Sequence, residues 1–163
     1  MPVGTTLITL ARAAYRLDPN GIHGPAHWLR VLRNGREIVA RTPGADLAVV
    51  EHFALLHDCR RDDDGDDPFH GARAAEYIAS LGERLPLTTR QRSLLMMACE
   101  GHARGGVSND PTVGACWDAD RLELSRSFCR PLPQLLSTAA ARCPELQAGA
   151  WLRGTNQTKE SLA

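Results

Sequence analysis

His27, the adjacent pair His57 and Asp58, and Asp120 are side chains of the types that hold a transition-metal ion. Two imidazoles with two carboxylates suit Mn, Fe, Co, Ni or Zn better than Ca or Mg, and three or four such groups suffice for one ion. A centre of this kind lowers the pKa of bound water toward neutrality and polarises a phosphoryl oxygen, so hydrolysis of a phosphate ester follows naturally. The four residues are far apart in sequence, and only the fold can bring them together.

Apolar residues recur at helical spacing almost throughout and no run alternates strictly, so the chain reads as all-α, a single compact bundle of about six to seven helices. A first helix is expected over residues 5–17, closed by the turn cluster Asp18-Pro19-Asn20-Gly21. The second starts near Pro25, a residue suited to the first helical position, and carries His27. The third, residues 44–58, delivers His57 and Asp58 from its C-terminal end. Successive helical residues lie about 100° apart, so that pair can reach one ion only from a helix end or a widened turn. Past an acidic loop, a fourth helix runs from near His70 to Gly82, and Thr88 with Gln91 forms a capping box for a fifth that ends near His102. Asn109-Asp110-Pro111 precedes a helix over 112–128 carrying Asp120, and Pro131 separates it from a last helix over 132–142. Residues 1–150 are expected to form the domain and 151–163 a polar, mobile tail.

The ordered set resembles the HD superfamily of metal-dependent phosphohydrolases. His27 stands in His-Trp-Leu-Arg-Val, similar to the family's His-x-x-Arg-Val. Asp120 stands in Asp-Ala-Asp-Arg-Leu, similar to its terminal aspartate motif, which makes Asp120 the ligand rather than Asp118. His70 in His-Gly-Ala-Arg-Ala-Ala and His102 in Glu-Gly-His fit the versions of the family that hold two metals. The resemblance, over roughly residues 20–128, implies one or two divalent transition-metal ions per chain. His27, His57, Asp58 and Asp120 would take the first, and His70 and His102 the second, with Asp58 bridging. It also implies in-line attack on phosphorus by metal-activated water, with Asp58 fixing the metal spacing and Arg61 balancing charge on the phosphate. Asp118 would hold a ligand or accept a proton from water. Some relatives with the same six-ligand pattern are mixed-valent di-iron oxygenases, and a further alternative is a non-catalytic domain that binds a nucleotide.

His23 precedes Pro25, so it lies outside the helix of His27, from where it can reach the cleft as a substrate contact or proton donor. His52 matches no ligand position and reads as a core or surface residue. An EF-hand starting at Asp62 would need Gly at 67 and Glu at 73, where the chain has Asp67 and Arg73, so the acidic loop is a solvated rim. Arg60 and Arg61 can bind an anionic substrate or pair with that loop. Cys59 and Cys116 read as small buried residues. Lys+Arg and Asp+Glu balance at 19 each, without a basic block, which argues against a long nucleic acid or a membrane surface as partner and leaves a small phosphorylated molecule as the expected substrate. The sole lysine, Lys159, precedes Glu160, which excludes a Walker phosphate loop. Five cysteines without a CxxC pair, a start without a basic leader and no long apolar run together suggest a cytoplasmic protein.

Overall fold

A computed structural model describes residues 4–156. Among them are seven α-helices and no strand: α1 (Thr5–Ala14), α2 (Pro25–Val39), α3 (Leu47–Leu56), α4 (His70–Leu81), α5 (Thr89–Gly101), α6 (Pro111–Leu122) and α7 (Pro144–Thr155). The protein is the all-α bundle expected. Helix α2 lies at its centre, packed on α3 and α6, while α5 pairs with α4 and also touches α3. Trp28, Val31 and Ile38 of α2 interlock with Val50, Phe53 and Ala54 of α3 in a fully buried core. Val50 can approach so closely because residue 35 is glycine: a Cβ there would overlap the valine's γ-carbon.

Helix starts follow local chemistry. Pro25 and Pro111 occupy first-turn positions, and Asp110 accepts hydrogen bonds from the amides of Thr112 and Val113 at 2.8 and 3.0 Å. The Thr88–Gln91 capping box is formed at the head of α5. Helix α3 begins at Leu47, later than expected, because Gly44 takes a left-handed φ of 82° and Asp46 caps the helix through the Val49 amide.

Two helix ends and the C-terminal stretch differ from the sequence reading. Helix α1 stops at Ala14, where Tyr15 turns out of the helix and sets its ring edge-on to Trp28, 5.1 Å between centroids. Helix α6 stops at Leu122 and tightens into a 3-10 segment, Glu123–Ser127, which turns Glu123 into the interior and ends at Phe128 with φ 55°. The helix expected over 132–142 does not form. Pro131 and Pro133 leave only a 3-10 turn, Pro133–Leu135, and the chain behind it is held by Asp118. The last helix is α7, which starts at Pro144 and continues through residue 151 to Thr155, so residues 151–155 are helical rather than part of a tail. The rest of the expected tail, residues 157–163, lies outside the described residues.

Candidate metal centre

Helix ends meet around one point. His27 comes from the first turn of α2, His57 and Asp58 from the end of α3, His70 from the start of α4, His102 from just beyond α5, and Asp120 from the last turn of α6. His57 keeps helical dihedrals and its amide bonds the Phe53 carbonyl at 2.9 Å, after which the chain tightens into turns closed by Cys59 and Arg61. Asp58 therefore leaves the helical path and can face the same point as its neighbour.

The first position is formed by His27 Nε2, His57 Nε2, Asp58 Oδ2 and Asp120 Oδ1. His27 Nε2 lies 3.1 Å from His57 Nε2 and 3.4 Å from each of the two oxygens. His57 Nε2 lies 3.4 Å from Asp58 and 3.5 Å from Asp120. Two imidazole nitrogens and two carboxylate oxygens gathered around one point are the donor types that a transition-metal ion takes. Asp58 turns its other oxygen, Oδ1, toward a second group, 3.2 Å from His70 Nε2 and 3.7 Å from His102 Nε2, which are themselves 2.8 Å apart.

The outer nitrogens of all four rings are spoken for. Nδ1 of His57 faces the Phe53 carbonyl at 3.1 Å, Nδ1 of His70 the Asp67 carbonyl at 2.5 Å, and Nδ1 of His102 the Cys99 carbonyl at 2.6 Å. Nδ1 of His27 faces the Glu123 carboxylate at 2.9 Å. Carbonyls only accept, so the proton of each neutral ring belongs on Nδ1 and the Nε2 lone pairs point inward at one another. Facing lone pairs at 3.1 and 2.8 Å repel unless a cation or proton lies between them. This donor set fits a metal ion.

The electrostatics agree. Burial works against charge on His57, yet Asp58 and Asp120 outweigh it and push the imidazole up to about 10. Burial likewise opposes ionisation of Asp58 and Asp120, but the surrounding imidazoles hold both carboxyls well below their ordinary range. The interior favours positive charge at this point, which a divalent ion supplies.

Two residues that shape the centre carry no sequence motif. Glu123, 1% exposed, orients His27 while accepting from Arg30 and, at 2.8 Å, from Arg126. Its signal was its place three residues after Asp120, on the same helical face. Phe53 stacks on His57 at 4.8 Å and meets His102 edge-on at 5.8 Å, fixing both rings.

The other candidates divide. Arg61 reaches the centre, with Nη1 3.4 Å from Asp58 Oδ1 and 3.3 Å from His70 Nε2. His23 lies beside it, its ring 6.0 Å from that of His27, and pairs with Asp64 at 2.9 Å. Burial lowers its pKa, opposed by Asp58 and the Asp64 contact. Asp118 is not brought to the centre. Its carboxylate accepts from the Ser137 amide and from the Thr138 amide and hydroxyl, at 2.7, 2.7 and 2.8 Å, so it braces the chain after α6 rather than holding a ligand. His52 bonds its own helix at Ala48, and Cys59 and Cys116 are buried with raised thiol pKa values, caused chiefly by burial. An open cleft of about 340 Å³ adjoins the second group, lined by Arg61, Asp67, His70, Gly71, Glu100 and Arg104 among others.

The helical fold that carries these ligand-type residues is similar to that of the HD superfamily. A crystal structure of a predicted HD superfamily hydrolase from an uncultured Thermotogales bacterium superposes with a TM-score of 0.68 at 26% identity, covering 89% of this chain and 83% of that one. No family model matches the sequence, and no curated protein matches it. No helix among the described residues is long and apolar enough to cross a membrane.

Proposed function

We propose that the protein is a metal-dependent phosphohydrolase that acts on a nucleotide or other small phosphorylated metabolite. The observation that carries this reading is the grouping of His27, His57, Asp58 and Asp120, in which the two imidazole Nε2 atoms lie 3.1 Å apart and each lies 3.4–3.5 Å from a carboxylate oxygen of both aspartates, with both Nδ1 atoms held by outer acceptors. A divalent ion held there would acidify a water molecule and polarise a phosphoryl oxygen. Asp58 would link the two donor groups through its separate oxygens. Arg61 would donate to the non-bridging phosphate oxygens, where charge develops, from a position already fixed by backbone carbonyls. His23, backed by Asp64 and with its ring 6.0 Å from that of His27, would hand a proton to the leaving group. The neighbouring cleft has the volume of a small-molecule site.

The first test is elemental analysis of protein purified without added metal or chelator, followed by a phosphate-release screen across nucleotides and sugar phosphates. Bound metal with turnover that vanishes together with the ion in His57→Ala and Asp58→Ala supports the proposal. Two irons per chain with a mixed-valent signal and oxygen consumption would replace it by the oxygenase reading. Folded protein with neither metal nor turnover would overturn it.

A further inference from the structure

The two donor groups around Asp58 are not equivalent. Toward the first, Asp58 Oδ2 meets only ligand-type atoms. Toward the second, Oδ1 meets His70, His102 and also a cation that belongs to the chain: Arg61 Nη1 sits 3.4 Å from Oδ1 and 3.3 and 3.4 Å from the two ring nitrogens of His70, so the guanidinium lies over the imidazole beside the carboxylate oxygen that a second ion would need. The guanidinium is not a surface group that has drifted inward. Its residue is 7% exposed, Nε donates to the Asp63 carbonyl at 3.1 Å and Nη2 to the Gly65 carbonyl at 2.9 Å. Although five aspartates follow within the next six residues, it takes backbone carbonyls from their loop and reserves its remaining nitrogen for the centre.

We infer that the Arg61 guanidinium is the resident cation of the second position, so that the protein holds one metal ion tightly and has a built-in positive charge where two-metal relatives hold a second. The inference rests on the metal reading of the first position and deepens it. An N–H donor and a divalent cation compete for Asp58 Oδ1, and like charges this close repel in a buried setting. A fixed guanidinium also matches phosphate geometry. One ion and one arginine would thus share the work of neutralising the phosphate. His70 and His102, which face each other at 2.8 Å, would then sit beside a resident positive charge rather than around a second ion.

The test is a Mn²⁺ titration of chelated, full-length protein, followed by calorimetry and electron paramagnetic resonance. Wild type is expected to take one tight equivalent and to give the spectrum of an isolated ion, even with Mn²⁺ in excess. Arg61→Gln removes the charge while keeping a polar side chain, and second-equivalent affinity should rise by about tenfold or more, with an exchange-coupled spectrum. Arg61→Lys keeps the charge and should stay with one. Melting curves confirm that each variant is folded, and the wild-type stoichiometry decides the matter even if one is not. Two tight equivalents in wild type, or no gain at the second position in folded Arg61→Gln, would overturn the inference while leaving the hydrolase proposal standing. Wild type that binds no ion would overturn both.

Discussion

Replacing Glu123 should damage metal binding and the fold by separable routes. Its Oε2 accepts from His27 Nδ1 at 2.9 Å and from Arg126 at 2.8 Å, and its Oε1 accepts from Arg30. Burial opposes its charge, but His27, Arg126 and Arg30 together hold its pKa below the ordinary value. Alanine would leave the Arg30 guanidinium buried without its carboxylate. Breaking a buried charged pair from one side costs about 3–5 kcal/mol. At about 2–4 °C per kcal/mol for a domain of this size, the melting temperature should fall by about 6–20 °C.

Glutamine at the same position keeps the shape and can still accept from His27, but it loses the charge that raises the basicity of the ring. Loss of the group behind a metal-binding histidine weakens affinity about 10–100-fold, equivalent to about 1.4–2.7 kcal/mol. We expect Glu123→Gln near the lower figure and Glu123→Ala near the upper. The assay is a competitive chelator titration with Zn²⁺, paired with calorimetric melting of loaded and metal-free protein. Asp118→Asn is the control: it removes another buried carboxylate from the same stretch of chain, but one that bonds Ser137 and Thr138, so it should lower the melting point and leave metal affinity alone. If Glu123→Gln and Glu123→Ala melt lower yet bind Zn²⁺ as wild type does, His27 is not a ligand oriented by Glu123.

Three further outcomes follow from particular contacts. A Cβ at Gly71 would collide with the Cys99 carbonyl oxygen, which also receives the His102 ring, so Gly71→Ala should push α4 from α5 and lower the melting temperature; unchanged melting would show that the helices have slack there. His23→Ala should retain metal but lose about 10²–10⁴ in kcat on substrates with poor leaving groups, and much less on a nitrophenyl ester; equal losses on both would refute a proton-donor role. In chelated protein, the raised His57 pKa contributes stability that is full below about 6.5 and disappears as pH rises through about 10. Melting temperature should therefore decline across that interval, and the His57 contribution should vanish in metal-loaded protein, where the ion takes the proton's place; parallel pH profiles with and without metal would count against it.

Most of the fold was legible because its helices are announced by their caps. Pro25, the Thr88–Gln91 box and Asp110-Pro111 each fix a start through local hydrogen bonding, and all three starts fall where the sequence puts them. Ends were less legible, since they depend on partners remote in sequence. Tyr15 leaves α1 to meet Trp28, and α6 tightens at Glu123 because that carboxylate must reach His27 and Arg30. The apolar pattern of 132–142 was misleading for a similar reason. Prolines disfavoured the helix locally, but the alternative conformation is held by Asp118, whose function cannot be read from its neighbour's motif. His27, His57 and Asp120 come together in one group and His57, Asp58 and His102 in another, with His70 beside Asp58, whereas the role of Arg61 depended on the direction of one guanidinium nitrogen.

That direction bears on how one fold can host different chemistry. An open pair of metals bridged by Asp58 needs both of its carboxylate oxygens to face ions. Here Oδ1 already has a permanent cation beside it, tied to the loop that follows the His-Asp pair. Arginine cannot change its charge or accept an electron, but it can donate to phosphate oxygens. With Arg61 as the inferred resident cation, an acid-base and electrostatic reaction on an anionic substrate would be favoured over one that needs a second redox ion. It also gives the acidic loop a purpose beyond solubility: its carbonyls aim Arg61, Asp64 aims His23, and the Asp67 carbonyl aims His70, so a change in the conformation of residues 62–67 would disturb three groups around the centre together.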